Sequence, residues 1–246
     1  MKKTARFFLA LALALCASLA VLPAHSGGSL TLLKSGSAGA GPPISITYNG
    51  NAAQNGNAYT AVPLGAEDPS RIVVFTMFRS GIGSCAYTPN STVINGVAAT
   101  DAVVTTPSGN DLIVQAYAPV PTGTSVNVSV ATASCANGAW ASHSIYNAAS
   151  ASPDDAQFIV AGASPRSTPS ATATAGGVSI GTCTNTTNNS AVVLTGTAIV
   201  TTDFDRLIHN VTSASGAGHN ANTGTAAVTT CTLGGASLLA TALTWH

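Results

Sequence analysis

The sequence predicts an all-β protein, a jelly-roll-like β-sandwich, with two small β-sandwiches in tandem as the alternative arrangement. Three observations predict it. Short runs of Val, Ile, Leu and aromatic residues recur at regular spacing, with Gly, Asn and Pro between them, which is the pattern of many short antiparallel strands. No segment after the N-terminus sustains the 3.6-residue period of an amphipathic helix. Charged residues are 7% of the chain, far below the roughly 25% of ordinary globular proteins, so Thr, Ser, Asn and Gly must supply the polar surface.

The chain opens on an export signal. Lys2, Lys3 and Arg6 precede an apolar run over residues 7–22, and Ala24 and Ser26 place small residues before Gly27. Residues 1–26 therefore read as a secretory signal peptide, and residues 27–246 as the β-sandwich domain. The run is shorter than the ~20 residues of a spanning helix, so it predicts export rather than anchoring. Leu15 stands where a lipoprotein signal wants a small residue before Cys16. No later stretch is long and apolar enough for stable membrane insertion. The expected location is the medium, the periplasm or the cell surface.

Residues 27–43 read as a loose entry segment rich in Gly, Ser and Ala. Residues 44–48 alternate as a first strand, residues 49–57 read as a turn, and residues 59–63 as a second strand. Residues 71–79 form the strongest strand, apolar on both faces and so buried between two layers. Strands at 92–94 and 98–105 flank Asn95-Gly96, a strong hairpin signal. Residues 111–118 follow, ended by Pro119 and Pro121. Val126, Val128 and Val130 alternate with Asn127 and Ser129, one face buried and one wet. Residues 139–146 read as a strand and 157–161 as an edge strand. Residues 164–176 read as a linker, where any internal boundary is expected. Strands at 177–183, 191–200, 226–233 and 237–245 complete the domain. Residues 203–210 read as a single helical turn and 213–224 as a Gly/Asn loop.

Composition excludes several functions. The basic residues after the signal, Lys34, Arg71, Arg79, Arg166 and Arg206, are scattered, whereas a phosphate backbone requires clustered cations. No nucleic-acid partner is expected. Cys85, Cys135, Cys183 and Cys231 are even in number in an exported chain, which predicts two disulfides. Their near-equal spacing suggests similar halves and favours Cys85–Cys135 and Cys183–Cys231, each joining neighbouring strands. Without a Cys-x-x-Cys pair, and with His143, His209, His219 and His246 far apart in sequence, no metal site is expected.

Each catalytic motif has a plainer explanation. Gly177-Val178-Ser179-Ile180-Gly181 matches the G-x-S-x-G pattern, but no helix follows to form the sharp turn that exposes such a serine. Asp203 and Asp205 would share one face if on a strand but lack further carboxylates nearby, and read as a solvated pair beside Arg206; Asp154 and Asp155 follow Pro153 in a loop. His143 shares a strand face with Ala141 and Ile145 and reads as a hydrogen-bonded histidine. His209 and His219 flank the Gly-rich loop without further support for a metal. Tyr87, Tyr117, Trp140, Tyr146 and Trp245 are dispersed and read mainly as core. No catalytic residue, cofactor or metal is expected, and the chain reads as a non-enzyme.

One stretch carries a resemblance. The hairpin Val93-Ile94-Asn95-Gly96-Val97-Ala98-Ala99-Thr100, the turn Ala118-Pro119-Val120-Pro121-Thr122-Gly123-Thr124 and the strand Val126-Asn127-Val128-Ser129-Val130 occur in that order. It resembles uncharacterised β-sandwich proteins of tailed phages and prophages, linked to tail or virion genes. The resemblance spans about residues 68–147, with a looser echo over 177–245, and implies a structural role without catalytic residues. The expected function is a secreted structural or adhesive β-sandwich module, with self-assembly or a cell-surface or glycan partner. The alternative is a secreted carbohydrate-binding or carbohydrate-active protein, built on exposed aromatics beside two carboxylates such as Asp203 and Asp205.

Overall fold

The computed structural model describes residues 42–80, 85–105, 111–135, 137–160, 164–185, 192–208, 214–223, 226–232 and 238–246. The expected signal peptide, Cys16, Lys34, nearly all of the entry segment and His209 lie outside the described residues. Among the described residues every regular element is a β-strand. The first half comprises β1 (Ser45–Ala53), β2 (Ala58–Pro63), β3 (Ile72–Ser80), β4 (Ala86–Tyr87), β5 (Val93–Ile94), β6 (Val97–Ala98), β7 (Thr100–Val104), β8 (Asp111–Pro119), β9 (Ser125–Ser129), β10 (Thr132–Ala133) and β11 (Asn137–Tyr146). The second comprises β12 (Asp155–Val160), β13 (Arg166–Ser167), β14 (Ala175–Asn185), β15 (Val193–Thr195), β16 (Thr201–Ile208), β17 (Ala214–Thr223), β18 (Thr230–Thr232) and β19 (Leu238–Trp245).

The two halves repeat one topology. Each contains a five-stranded antiparallel sheet, ordered β1-β11-β3-β8-β7 in the first and β12-β19-β14-β17-β16 in the second. In both, the half's first strand lies at the edge beside its last strand, and its third strand is central. A smaller sheet covers each, β2-β9-β5-β6 and β13-β18-β15, and β10 pairs with β4 separately. The sandwich character predicted from strand density is what the sheets form.

Side-chain alternation sends each large sheet's two faces to different cores. On β3, Val73, Phe75 and Met77 pack with Tyr59, Val128 and Trp140 inside the first sandwich. The alternate residues Ile72 and Val74 pack instead with Val178, Ile180, Leu243 and Trp245 of the second half, and Phe78 packs with Leu239. The two five-stranded sheets therefore lie face to face, with β1 against β16 and β17, and β7 against β12. The stack has four layers, small, large, large and small, and every residue of β3 is buried.

Several expectations shift. β1 continues through Asn51 to Ala53, where a turn is expected, because a bulge between Tyr48 and Gly50 absorbs the Asn/Gly composition and preserves pairing to β11. Residues 203–208 are strand rather than a helical turn, and the expected loop beginning near residue 213 contains β17. β17 is rich in glycine because it is overlaid closely. A Cβ on Gly216 would stand 2.5 Å from Leu194 Cδ1, and one on Gly218 would stand 2.6 Å from the Thr201 carbonyl. The change of sheet falls between Tyr146 and Asp155, ahead of residues 164–176, because β12 pairs with β19. Asn95 and Gly96 hold φ of 54° and 78°, as a two-residue hairpin turn with two left-handed positions requires.

The expected disulfides form. Cys85–Cys135 has a Cα separation of 4.7 Å and closes the end of the neighbouring strands β4 and β10. Cys183–Cys231, at 6.2 Å, differs from expectation in what it joins. Cys183 lies in β14 of the large sheet and Cys231 in β18 of the small one, so this bond crosses the second sandwich's core. Two such bonds fit an oxidising environment. No helix among the described residues is long and apolar enough to cross a membrane.

Candidate functional site

The site is a buried His–Asp–His cluster between the two large sheets. On β11, Ala139, Ala141, His143 and Ile145 alternate with Trp140, Ser142 and Ser144. Trp140 belongs to the first sandwich's core, whereas Ala139, Ala141 and Ile145 belong to the clusters facing the second half. That alternation carries His143 into the seam between the halves. β17 supplies His219, paired with Ile180 of β14 and Thr201 of β16. Asp203 comes from an irregularity. The register of β16 slips between Thr202 and Phe204, and the unpaired residue of a bulge is free to re-aim its side chain. Its side chain is 2% exposed.

Asp203 holds one histidine on each oxygen. Its Oδ2 lies 2.8 Å from His143 Nε2 and its Oδ1 lies 2.7 Å from His219 Nδ1. His143 is fully buried and the His219 side chain is 17% exposed, so the cluster meets solvent on the His219 side. The other ring nitrogen of His143, Nδ1, is buried without a hydrogen-bond partner. Tyr48 lies 5.4 Å from the His143 ring, the two imidazoles are 6.2 Å apart, and Phe204 lies 6.1 Å from Tyr48.

The electrostatics follow from this geometry. Burial alone would raise the Asp203 pKa, but hydrogen bonds and positive charge from His143 and His219 more than offset it, and the carboxyl is held below its usual value. Burial raises the Tyr48 hydroxyl; a hydrogen bond from Asn51 works against this, and the Asp203 charge adds to it. The cluster is a buried anion with two imidazole partners, a donor set of two nitrogens and a carboxylate that can hold a cation.

The other sequence motifs land elsewhere. Ser179 is buried inside β14 and donates its hydroxyl to the Ala198 carbonyl at 3.1 Å, so it is a packed strand residue. Asp205 is exposed while Asp203 is buried, so the bulge separates two residues expected to share a face. Asp154 meets His246 at 2.6 Å. Asp155 accepts from the Thr172 and Ala156 amides at 2.8 Å and ties down the β12 edge. Trp140 and Trp245 are buried in different clusters, and Tyr87 and Tyr117 bond to Asp101 and Ser152. These aromatics form no shared platform, and Asp203 does not face one with Asp205.

Sequence reasoning passed over the cluster because its members lie 60 and 16 positions apart. The available signal was His143 itself, a titratable residue in the apolar stripe of a strand otherwise lined there by Ala and Ile.

Comparison with protein-family models, curated proteins and solved structures found no significant match to this chain.

Proposed function

We propose that the chain is exported and works outside the cytoplasm as a non-enzymatic structural or adhesive β-sandwich module, akin to the tail- and virion-linked proteins it resembles. The observation that carries this reading is where the apolar surface lies. Among the described residues the exposed large hydrophobics are Val97 (40%), Phe158 (43%), Val193 (52%) and Val200 (75%). Val97, Phe158 and Val193 lie on the edge strands β6, β12 and β15, and Val200 directly precedes the edge strand β16. An open edge bearing apolar side chains offers unpaired backbone groups to another chain. The two disulfides and the four-layer stack supply a rigid body to carry such edges. A low-charge surface suits packing into an assembly.

The test is sedimentation of the purified, oxidised protein together with binding to cells, glycans and envelope fractions. Concentration-dependent assembly or surface binding that is weakened by Val193→Lys and Val200→Lys supports the proposal. A strict monomer without affinity for any of these surfaces overturns it.

A further inference from the structure

We propose that His143, Asp203 and His219 form a binding site for a divalent transition-metal cation of the zinc type, which clamps the two halves together. The inference stands apart from the assembly reading, since it rests on the seam between the sheets rather than on their edges.

Three features of the cluster lead to it. The first is spacing. The three ligand atoms lie within 4.8 Å of one another, and each Asp203 oxygen is 2.7–2.8 Å from an imidazole nitrogen. Tetrahedral ligands about 2.1 Å from one metal lie roughly 3.4 Å apart, so the three atoms come within reach of one cation once the widest pair closes by up to about 1.4 Å. The second is charge. A carboxylate this deeply buried demands a compensating cation, and its recorded partners are the two histidines. Protonated histidines or a divalent ion can supply that charge, and the ion does so through the same three atoms with both imidazoles neutral. The third is donor chemistry. Two imidazoles and one carboxylate suit Zn2+, Co2+, Ni2+ or Cu2+, while Ca2+ and Mg2+ require an oxygen-rich cage.

The position of the cluster gives the cation a structural task. His143 belongs to the first half's β11, and Asp203 and His219 to the second half's β16 and β17. A metal held by all three crosslinks two sheets that otherwise meet through side-chain packing. Tyr48 and Phe204 cover one side with aromatic rings. The partial exposure of His219 leaves an entry path and room for a water ligand.

The test uses the full oxidised chain, stripped with a chelator and titrated with ZnCl2 by calorimetry. CoCl2 serves as a spectroscopic probe. The expected results are one zinc per chain, a higher Tm with saturating zinc, and visible Co2+ absorption from mixed imidazole and carboxylate ligation. His219→Ala, at the most exposed ligand, is expected to weaken zinc binding at least about tenfold and to remove the zinc-induced rise in Tm. His246→Ala, at the separate pair with Asp154, is expected to change neither. Absence of stoichiometric binding overturns the proposal, as does binding retained in His219→Ala or lost in His246→Ala. Should His219→Ala fail to fold, zinc-induced shifts of histidine ring nitrogens in the unaltered protein decide instead. Two shifted imidazoles support the site, and none or only one overturns it.

Discussion

Replacing Arg71 with methionine should destabilise the first half more than any other single change to its surface loops. Arg71 is fully buried at the start of β3, and its guanidinium is held by backbone carbonyls. It donates to the carbonyls of Val120 at 2.7 Å, Ala66 at 2.7 Å, Thr122 at 2.8 Å and Gly123 at 2.7 Å, with Gly65 further away at 3.3 Å. One side chain thus ties the segment before β3 to the turn between β8 and β9. Glu67 completes the tie by accepting the Gly123 amide at 2.7 Å. A charge-assisted hydrogen bond contributes about 1.5–3 kcal/mol, and four short ones would sum to more than is lost, because the freed carbonyls near the surface recover water. Methionine fills the stem volume and isolates the polar loss, so the expected cost is about 3–5 kcal/mol. For a domain of this size that is a fall in Tm of roughly 6–20 °C. Arg71→Lys keeps the charge but presents three donors from one point, so it should fall between. Urea unfolding of the oxidised protein, followed by tryptophan fluorescence, measures both. A loss below about 1 kcal/mol for Arg71→Met would refute the assignment of Arg71 as the tie of this loop pair.

Three further outcomes follow from the packing. Gly181→Ala should cost about 1–3 kcal/mol, because a Cβ there would lie 2.5 Å from Ile199 Cδ1 and against Thr229; unchanged urea stability would refute this close approach as a constraint. Replacing both Cys183 and Cys231 by alanine opens a link spanning 48 residues and should cost up to about 4 kcal/mol by the chain-entropy argument, read as a lower urea midpoint under non-reducing conditions. Burial pushes the Tyr59 hydroxyl up to about 12, with the Arg79 charge working against it. Its contribution to stability is therefore complete below the ordinary tyrosine value near pH 10 and is lost as pH rises toward 12. Ultraviolet titration should show a tyrosine step near pH 12, and Tyr59→Phe should remove it while leaving the upward-shifted Tyr48 and Tyr87 in place.

Much of the fold was legible before any coordinates. The doubly apolar run at β3, the alternation of β9 and the Asn95-Gly96 turn each carry a local rule that tertiary context did not override. β16 and β17 were misread because residues 214–223 look like a loop by composition. Glycine there answers a need for close approach by Leu194 and Thr201, and a lone sequence cannot tell that need from a need for turning. The Asp203–Asp205 pair was misjudged for a related reason. Strict alternation puts both on one face, and a bulge, which depends on pairing with β17, separates them.

By itself the sequence determined the all-β class and the scatter of cations along the chain, and its cysteine spacing favoured one of three pairings without fixing it, because strand period, cysteine spacing and charge are properties of short stretches or simple counts. Only the tertiary structure decided that the two halves stack through their large sheets and that His143, Asp203 and His219 meet there. Residues 60 positions apart are brought together by which sheet faces pack, and in a four-layer stack the choice of facing surfaces depends on the whole set of strands at once.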